Sequence, residues 1–394
     1  MNKNSETIFS PDFLRMFLSN VLLTSGFYMI MPLLPVYAAQ ELAIDKGKIG
    51  LIVGIFAVSS VVARPIAGFL SDRKKRMAVY LPSLVAFALC FGLYSVAWTF
   101  LVLLFARLIH GISWGFVSTS TSTVVSDIVP AKFRGRGLGY FGLSMTLAMA
   151  LGPALGAFLM DYIPFWGIFA VCFGLSAFAF IISVNVKPPY VEQNKSPMSF
   201  STVFEKRVFG ISLMQFLYGI TYSGVMAYPV LHGLERGVES GLKYFFPIMA
   251  LFVTIFRPYA GKVTDKYGPS WVLFFGFIFF ALGNILLGVS GNDVVFLMSA
   301  GVIGMGAGLI MPTLMTMTVN VVVPSRRGAA NATSLTAFDM GIGIGAIMLG
   351  VLSKTTGYEL MYIISAAVLV LPLMWYIVRE RTQYAKMTED MKNM

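Results

Sequence analysis

Long apolar runs separated by short polar stretches recur along the whole chain, and this pattern decides the fold class. Each run is at least about 20 residues long, enough for a helix to cross roughly 30 Å of hydrocarbon. The runs predict twelve membrane-spanning helices, here called spans 1 to 12, at about 13–38, 49–71, 78–97, 100–125, 137–159, 164–185, 208–232, 241–263, 270–290, 294–322, 328–352 and 358–378.

The alternation that marks the strands of a membrane β-barrel is not found in these runs. A barrel strand shows about 10 residues of alternating polarity, and lipid otherwise permits only helices, because every backbone polar group must be satisfied internally. The composition agrees, since 57% of residues are hydrophobic and only 12% are charged. The first run is too long for the apolar part of a signal peptide, so we keep it as a span.

The chain carries a formal net charge of +11, and the positions of its bases indicate a topology. The turns after the even-numbered spans hold most of the Lys and Arg, whereas the turn after span 3 holds none. The positive-inside rule then places both termini in the cytoplasm and makes nucleic-acid binding a poor explanation of the charge. These bases are Arg73, Lys74, Lys75, Arg76, Lys132, Arg134, Arg136, Lys187, Lys195, Lys206, Arg207, Lys266, Arg326, Arg327, Arg379 and Arg381.

Two stretches 193 positions apart share their pattern: RPIAGFLSDRKKR at 64–76 and RPYAGKVTDKYG at 257–268. The same offset continues through spans 2 to 5 and spans 8 to 11. The matching pairs are Arg64 and Arg257, Pro65 and Pro258, Gly68 and Gly261, Asp72 and Asp265, Gly111 and Gly304, Gly115 and Gly308, Arg134 and Arg327, and Gly135 and Gly328. A shared register over Arg, Pro and Asp indicates an internal repeat.

The repeat predicts an N-terminal six-helix bundle at 1–185, a cytoplasmic linker at 186–207 and a C-terminal six-helix bundle at 208–394. The linker is polar and contains proline. Both halves begin on the cytoplasmic side, so the repeat is parallel. Two such halves with a site between them at mid-membrane are the plan of a secondary transporter.

Three motifs carry a resemblance to a known family. They are Gly68-Phe-Leu-Ser-Asp72-Arg73 through Arg76, Arg107-Leu-Ile-His110-Gly111 in span 4, and Gly152-Pro153-Ala-Leu-Gly156 in span 5. Over essentially its whole length the chain resembles the major facilitator superfamily, and within it the twelve-helix drug:proton antiporter group. The resemblance implies an all-α membrane fold of two pseudo-symmetric six-helix bundles. The third motif is typical of the family's antiporters.

The turn after span 2 is interpreted as part of a cytoplasmic gate. The resemblance implies that Asp72 faces the start of span 11, and the repeat implies that Asp265 faces the start of span 5. The predicted gate consists of Gly68, Asp72, Arg73, Arg76, Asp127, Asp265, Arg134 and Arg327. Arg76 is expected to pair with Asp127, and Gly68 and Gly261 are expected to allow close helix approach. The second copy has Pro269 and Asn320 where Arg76 and Asp127 stand.

Three ionisable residues within the spans are the candidates for proton coupling: Asp339, Arg107 and His110. Charged groups at this depth are costly and usually face the bundle interior. The resemblance implies coupling by the arginine of the span 4 motif, in which His110 replaces the usual glutamine. Many antiporters of the group carry an acid in span 1; here Asn20, Thr24 and Tyr28 mark a polar face in that span with no acid, which moves the expectation to Asp339.

The Gly152-Pro153 pair is expected to kink span 5, and Gly156 to allow a neighbour to pack closely. A polar and Met-rich lining suits varied amphipathic substrates. The candidate cavity residues are Asn20, Thr24, Tyr28, Trp114, Gln215, Tyr218, Tyr222, Met226, Met311 and Met315. Aromatic and methionine stripes at helical spacing are more often packing than binding, and that reading stays open.

No cofactor, metal site or enzyme activity is predicted. Cys90 and Cys172 lie within spans without metal-ligand spacing, and the only histidines, His110 and His232, are far apart. The pattern favours a monomeric, multi-pass protein of the cell membrane whose partners are a small-molecule substrate, protons and lipid. We expect a proton-coupled efflux antiporter of small amphipathic molecules; a proton-coupled importer of a sugar, organic acid or other small solute remains the alternative.

Overall fold

A computed structural model describes residues 7–130, 134–189, 204–238, 241–323 and 327–393. These residues are helical except for short connections. In chain order the helices α1 to α14 are Pro11–Gln40, Lys46–Arg73, Arg76–Ser95, Phe100–Ile128, Arg134–Leu159, Phe165–Val184, Phe209–Ala227, Pro229–Glu235, Gly241–Tyr267, Pro269–Gly288, Asp293–Asn320, Arg327–Val368, Val370–Trp375 and Arg381–Asn393. A 3₁₀ turn at Lys206–Val208 precedes α7, and a π turn at Tyr376–Glu380 joins α13 to α14.

The predicted fold class, an all-helical membrane protein, is confirmed. Eleven stretches among the described residues are long and apolar enough to cross a membrane. The last of them covers 60 residues, Ala330–Glu389, and it is broken at Gly357, whose φ of 76° lies outside the helical region. Because that break divides the stretch into two passes, the structure accommodates twelve spans.

Side chains at the helix starts explain why several spans begin where they do. Ser10, Thr99 and Asn292 each accept a hydrogen bond from the backbone N–H three residues later, at 3.2, 3.4 and 3.0 Å. Such caps satisfy one of the amides that a helix leaves without a partner at its N-terminus. Short polar connections thus supply the stop and start signals between apolar runs.

The chain divides into two compact units. Unit 1 comprises Met1–Leu42 and Val58–Pro197. Within it α1 packs against α5 and α6, and α3 packs against α4 and α6. A buried cluster of hydroxyls ties three of these helices together, because Ser19 Oγ lies 3.1 Å from Tyr80 Oη and 2.8 Å from Ser183 Oγ.

Unit 2 comprises Ala43–Ala57 and Met198–Met394, so the boundary passes through α2. The sequence-based division had assigned Ala43–Ala57 to the N-terminal bundle. Within unit 2, α7 packs against α12, α9 against α11, and α10 against α11 and α12. The α1–α5 and α3–α4 pairs of unit 1 thus have counterparts in α7–α12 and α10–α11 of unit 2.

The 193-residue repeat extends to equivalent helix contacts inside each unit. In unit 1, a Cβ added to Gly115 of α4 would lie 2.6 Å from the carbonyl oxygen of Ser60 in α2. In unit 2, a Cβ on Gly308 of α11 would lie 2.9 Å from the carbonyl oxygen of Val253 in α9. Gly115 and Gly308 are 193 positions apart, and so are Ser60 and Val253. The same close backbone contact is therefore made once in each unit.

A pair of hydroxyls repeats at the same offset. Ser71 Oγ lies 3.3 Å from Ser120 Oγ between α2 and α4, and Thr264 Oγ1 lies 3.4 Å from Thr313 Oγ1 between α9 and α11. The equivalence is therefore one of tertiary contacts as well as of residue types.

The start of α2 packs on α12 within unit 2. A Cβ on Gly50 would overlap the backbone of Ala346, and a Cβ on Gly54 would overlap the side chain of Ile347. Just before α2, Asp45 Oδ2 forms an ion pair with Lys354 Nζ of α12 over 3.0 Å. Small residues permit such close backbone contact between membrane helices.

Candidate functional site

Arg107 lies in a buried polar network of unit 1. It is 1% exposed, and its Nη1 donates to Tyr94 Oη over 3.4 Å. The same hydroxyl lies 2.5 Å from Nδ1 of His110, which is 0% exposed. The arginine and histidine of the span 4 motif thus share one tyrosine of α3, a residue that the sequence analysis did not single out.

The directions of these hydrogen bonds follow from the donor inventory. Guanidinium groups only donate, so the oxygen of Tyr94 accepts from Arg107 and its O–H is left to donate to Nδ1 of His110. His110 is then an acceptor at Nδ1, the neutral form with its proton on Nε2. A second positive charge next to Arg107 would also be unfavourable. The arrangement therefore makes His110 a neutral partner.

Aromatic rings enclose this network. Phe87 and Phe91 of α3 lie with ring centroids 4.4 and 5.0 Å from that of His110. One turn further along α4, Trp114 stacks on Phe27 of α1 at 4.4 Å with an interplanar angle of 10°. Trp114, a predicted cavity residue, is 8% exposed and is thus mainly a packing residue of unit 1.

The Gly-Pro motif of α5 lies directly on α1. A Cβ on Gly152 would come within 2.6 Å of the carbonyl oxygen of Ser25 and 2.9 Å of Cβ of Tyr28, and one on Gly156 within 2.9 Å of Cγ of Met29. Close packing at Gly156 is therefore confirmed. Helix α5 continues past Pro153 to Leu159. The motif brings the polar face of α1 against α5.

That polar face is formed by the predicted residues of span 1. Asn20 donates from Nδ2 to Ser144 Oγ of α5 over 2.7 Å. Thr24 donates to the backbone oxygen of Asn20 and is 2% exposed, and Tyr28 is 8% exposed. The polar face thus joins α1 to α5 through the hydrogen bond between Asn20 and Ser144, in addition to the glycine contact.

In unit 2 the predicted tyrosines of span 7 belong to a larger aromatic cluster. Tyr218 and Tyr222 of α7 lie with Phe280 of α10 and Phe338 of α12, and these four residues are called the aromatic cluster below. The Tyr218 ring is 5.0 Å from Phe280 and 5.7 Å from Phe338, on which it stacks. Tyr222 is 5.6 Å from both Tyr218 and Phe338. Flat apolar or cationic groups bind such rings well.

Gln215 lies one turn before Tyr218 on α7. It is 0% exposed, and neither Oε1 nor Nε2 has a hydrogen-bond partner among the described residues. Burying an amide in this way costs about 1–3 kcal/mol, so an unsatisfied Gln is a place where water or a ligand would be favoured. Of the predicted methionines, Met226 is 3% exposed, whereas Met311 and Met315 are half-buried.

Asp339 follows Phe338 in the part of α12 that packs most tightly on α7. A Cβ on Gly219 of α7 would overlap the backbone of Phe338, and one on Gly341 would overlap that of Phe216. A Cβ on Gly345 would lie 2.5 Å from Cα of Ile220. The half-buried carboxyl of Asp339 is thus carried by a backbone that glycine packing holds in place.

The glycine contacts of α5 and α12 are repeat equivalents, because Gly152 and Gly345 are 193 positions apart. The two halves differ in their chemistry at this point. Thr146 of α5 stands at the position equivalent to Asp339 and donates to the Gly142 oxygen over 3.4 Å. The carboxyl is therefore specific to unit 2.

One ion pair of the predicted cytoplasmic gate is present. Arg76 Nε lies 2.8 Å from Asp127 Oδ2, with both side chains 14% exposed, as the sequence predicted. Arg76 also donates to the backbone oxygen of Ser71. The guanidinium of Arg73 instead lies 4.4 Å from the ring of Phe69 on its own helix. The side chains of Asp72, Asp265, Arg134 and Arg327 lie outside the described part of the structure.

The expected close helix approach at Gly68 and Gly261 is not found among the described residues. A Cβ on either residue would meet no described atom within 4 Å. Helix α2 makes its close contact at its other end instead, where Gly50 and Gly54 meet α12. A glycine therefore marks a helix contact only if it lies on the face turned to a neighbour, which sequence alone does not show.

A further buried carboxyl was missed because the sequence analysis ended span 12 at 378. Glu380 is 1% exposed and lies at the end of the π turn. It stands in a charged stretch, between Arg379 and Arg381, which carries no local signal for burial. The contribution of Phe280 and Phe338 to the aromatic cluster was missed as well, since apolar residues in apolar spans carry no local signal.

Among the described residues, no group of three or more His, Cys, Asp or Glu side chains could hold a metal ion. Cys90 and Cys172 are buried free thiols. His232 Nε2 lies 2.8 Å from the carbonyl oxygen of Leu287, which ties α8 to α10. These residues have packing or hydrogen-bonding roles in their own units.

Comparison with known families decides the identity of the fold. A family model described as the Major Facilitator Superfamily matches residues 16–256 and 240–389. The chain belongs to the major facilitator superfamily. It is therefore a multi-pass membrane transporter and not an enzyme, and the family resemblance drawn from its motifs is confirmed.

Two relatives of this superfamily member are similar along most of their length. An uncharacterised MFS-type transporter, MJ1560, of Methanocaldococcus jannaschii is 26% identical over 352 residues, covering 86% of this chain and 91% of the relative. The quinolone resistance protein NorA of Staphylococcus aureus is 24% identical over 346 residues, covering 83% and 86%.

Solved transporters share the fold at low identity. A bacterial homologue of the human lysosomal transporter Spinster matches with a TM-score of 0.81 at 13% identity, covering 97% of this chain and 99% of that one. The human organic anion transporter MFSD10 matches with a TM-score of 0.69 at 19% identity, covering 93% and 98%. These likenesses confirm the fold and say nothing of the substrate.

Proposed function

We propose that this transporter is a proton-coupled antiporter that exports small amphipathic molecules by alternating access. The observation that carries the proposal is the position of Asp339, directly after Phe338 of the aromatic cluster, on the glycine-packed part of α12. A carboxyl in such a place can hold a proton or a cationic group in turn. The aromatic rings and the unsatisfied amide of Gln215 would supply apolar and polar contacts to the substrate.

Two further observations support export, one from the helix packing of unit 1 and one from a relative. The Gly-Pro motif of α5 resembles that of the family's antiporters, and its glycines pack on α1 as a functional helix contact would require. NorA, a relative at 24% identity, is named a quinolone resistance protein. We extend to this chain only the substrate class that such a name suggests, flat amphipathic molecules.

Arg107 is proposed to hold the coupling geometry of unit 1 and not to contact the substrate. Its guanidinium is 1% exposed and donates to Tyr94. The Arg107–Tyr94–His110 network would respond to changes in protonation elsewhere through these hydrogen bonds. His110 is the next candidate for a coupling proton after Asp339.

An importer of an organic acid or sugar is the second candidate, favoured by the deep cation Arg107 in span 4. The burial of that cation and its bond to Tyr94 weigh against direct anion binding. The direction of flux separates the two candidates.

The proposed setting is the cell membrane, with both termini in the cytoplasm, a monomeric protein, and protons, lipid and a small molecule as partners. Cysteines placed near residues 3 and 391 would report the topology, because the native cysteines are buried. We expect both sites to be labelled only after the cell membrane has been permeabilised. Labelling of either site in intact cells contradicts this orientation.

Flux in liposomes tests the proposed function. The purified protein is reconstituted, a pH gradient is imposed, and a panel of fluoroquinolones, lipophilic cationic dyes, an organic anion and a sugar is followed. We expect amphipathic compounds to move opposite to the protons and to stop when an ionophore collapses the gradient. Movement of any panel member together with protons would instead establish the importer.

A further inference from the structure

Glu380 is a buried acid that the proposed transport mechanism does not use. It is 1% exposed, in a stretch where every other charged residue from Arg379 to Lys386 is exposed. It ends the π turn Tyr376–Glu380, in which the backbone N–H of Arg381 donates to the Tyr376 oxygen. Single π turns inside helices are often found at functional sites. The carboxyl therefore has a specific place in unit 2 and is not a solvated tail.

The carboxyl of Glu380 packs on the first turn of α7. A Cβ on Gly210 would overlap Oε2 and lie 2.7 Å from Cδ of Glu380. Only glycine leaves room for the carboxyl at this point. The π turn is held on its other side by Ser270 Oγ and Tyr376 Oη, 2.8 Å apart. The acid is thus enclosed between α7 and its own turn.

The hydrogen bonding of this carboxyl does not suit a negative charge. The indole N–H of Trp375 is the side-chain donor that interacts with this carboxyl, but neither Oε2 nor Nε1 completes a hydrogen bond of ordinary length among the described residues. An ionised carboxylate in such surroundings is strongly disfavoured, whereas a protonated one is neutral. The positive end of α7 near Gly210 would favour the ion, but the effect of a helix terminus is about 0.3–1 kcal/mol.

The basic groups around Glu380 are directed to solvent. Arg379 lies over the ring of Trp375 at 5.1 Å, which keeps its guanidinium on the outer face. Among the described residues, one other charged group before α7 is buried: Glu205 is 9% exposed and accepts at Oε1 from the backbone N–H of Arg207. The exposed charged groups on the adjoining elements are Lys206 and Arg207 before α7, Lys266 at the end of α9, and Arg381, Lys386 and Glu389 on α14. Tyr384 of α14 is turned to Asn320 of α11, to which its Oη is bonded over 3.2 Å.

We propose that Glu380 is a proton-binding site, separate from Asp339, that keeps its proton at neutral pH. The ligand is the proton itself, bound on a carboxyl between Gly210 and Trp375. Loss of that proton requires water to enter between α7 and the π turn. The site lies at the joint from which α14 continues to its contact with Asn320, so proton release would loosen that joint. The inference does not depend on which ion drives transport.

Infrared spectroscopy of the purified full-length protein tests the site, because a protonated carboxyl has a carbonyl band that a carboxylate lacks. The band is followed from acid to alkaline pH in the wild type, Glu380→Gln, Glu389→Gln and Asp339→Asn. Glu389 is an exposed acid of α14 and is the matched control. We expect a band that persists at neutral pH, is lost in Glu380→Gln, and remains in the other two variants.

Two results would contradict the assignment of a proton to Glu380. If the wild type and Glu380→Gln have the same bands at neutral pH, Glu380 is ionised there and the inference is overturned. If the neutral-pH band is lost in Asp339→Asn and kept in Glu380→Gln, the proton belongs to the proposed coupling site alone. A failure of the transport proposal leaves the Glu380 band where it is, so the two outcomes are distinguishable.

Gly210→Ala supplies a second test that keeps the acid. The added Cβ must displace the carboxyl from its place on α7. We expect the midpoint at which the Glu380 band disappears to fall by roughly one pH unit or more, towards that of an exposed glutamate. An unchanged midpoint would contradict the assignment of the proton to this contact. Glu380→Asp, which keeps a carboxyl but shortens its reach, is expected to move the band without removing it.

Discussion

At the scale of single residues, the two units divide the candidate chemistry between them. Unit 1 holds a fixed cation, Arg107, with its tyrosine and histidine partners, whereas unit 2 holds the half-buried carboxyl of Asp339. A cation that only donates hydrogen bonds cannot exchange a proton at neutral pH, whereas a carboxyl can. The residue-level predictions therefore assign coupling to Asp339 and geometry to Arg107.

Asp339→Asn is expected to separate transport from the pH gradient. The amide keeps the shape of the side chain but fixes its neutral form, so uphill export should be lost while downhill exchange continues. Flux in liposomes with and without a pH gradient measures this, with Asp12→Asn as the control. Uphill export with normal pH dependence in Asp339→Asn would show that the carboxyl is structural and that His110 is the next candidate.

Arg107→Ala is expected to abolish gradient-driven transport in a protein that still folds and reaches the membrane. Arg107→Lys should not restore it, because an ammonium lacks the planar fork of the guanidinium. Tyr94→Phe removes only the hydroxyl between Arg107 and His110, so it should destabilise the protein by about 1–3 kcal/mol and weaken coupling. Transport assays and thermal unfolding follow the two effects. Near-normal efflux by Arg107→Ala would remove this residue from the mechanism.

The ion pair of Asp45 and Lys354 gives unit 2 a contribution to stability that depends on pH. The hydrogen bond from Lys354, and next the backbone N–H of Gly47, lower the pKa of Asp45 below its ordinary value. A lowered folded-state pKa means that the stabilisation is present above the unfolded pKa and is lost as pH falls through the folded one.

Asp45→Asn should therefore lower the unfolding temperature at pH 7 but not in acid. Thermal unfolding of the wild type and the variant in detergent between pH 7 and about pH 3 measures the difference. A difference that stays constant over this range would mean that the carboxylate charge has no role. The carboxylate is exposed, so the effect is expected to be small.

At the scale of helices, glycines determine which pairs of spans approach most closely. Gly341 and Gly345 bring α12 onto α7, and Gly152 and Gly156 bring α5 onto α1. Hydrophobic burial does not drive association in lipid, so close packing of backbones matters more than in soluble proteins. A Cβ at Gly68 would meet no described atom within 4 Å, so Gly68 provides a control within the chain.

Gly341→Ala is expected to destabilise unit 2 by about 1–3 kcal/mol, since its Cβ would overlap the backbone of Phe216. Gly68→Ala should be neutral or stabilise by roughly 0.5–1 kcal/mol, because a Cβ there meets no described atom and alanine is the better helix former. Unfolding midpoints of the two variants in one detergent make the comparison. Equal midpoints would show that the α7–α12 contact does not limit stability.

At the scale of the whole molecule, we predict that the repeated turns after spans 2 and 8 act as a gate in the conformational cycle. The proposed gate has Asp72 and Asp265 at equivalent positions. The pair of Arg76 and Asp127 adjoins the first of them, and its equivalent in the second copy is replaced by Pro269 and by Asn320 bonded to Tyr384. The copies therefore differ in what holds the turn, and the first is expected to dominate.

Asp72→Asn should slow transport and raise the population of the inward-open state, because the variant loses the charge that the start of span 11 would attract. Spin-label distances on the cytoplasmic side, measured with transport on the same preparation, report both effects. Asp265→Asn is the matched variant, with a smaller effect expected. Unchanged distances with full transport in Asp72→Asn would end the gate proposal.

The sequence by itself determined the features that lipid enforces locally. A run of apolar residues must form a helix because no other structure satisfies its backbone in hydrocarbon, so the twelve spans and the fold class followed directly. The register of Arg, Pro, Gly and Asp at an offset of 193 revealed the repeat, which reappears as equivalent contacts at Gly115 and Gly308. The pair Arg76 and Asp127 was predictable because their charges stand at the ends of adjacent spans.

Only the tertiary structure decided which faces of those helices meet. Phe280 and Phe338 join Tyr218 because α10 and α12 are rotated towards α7, and no local pattern encodes that rotation. For the same reason, a Cβ would meet no described atom at Gly68 but would overlap a backbone at Gly50. Glu380, which reads as a solvated acid between two arginines, is buried because a π turn and the missing side chain of Gly210 make room for it, and that contact links residues 170 positions apart in the chain.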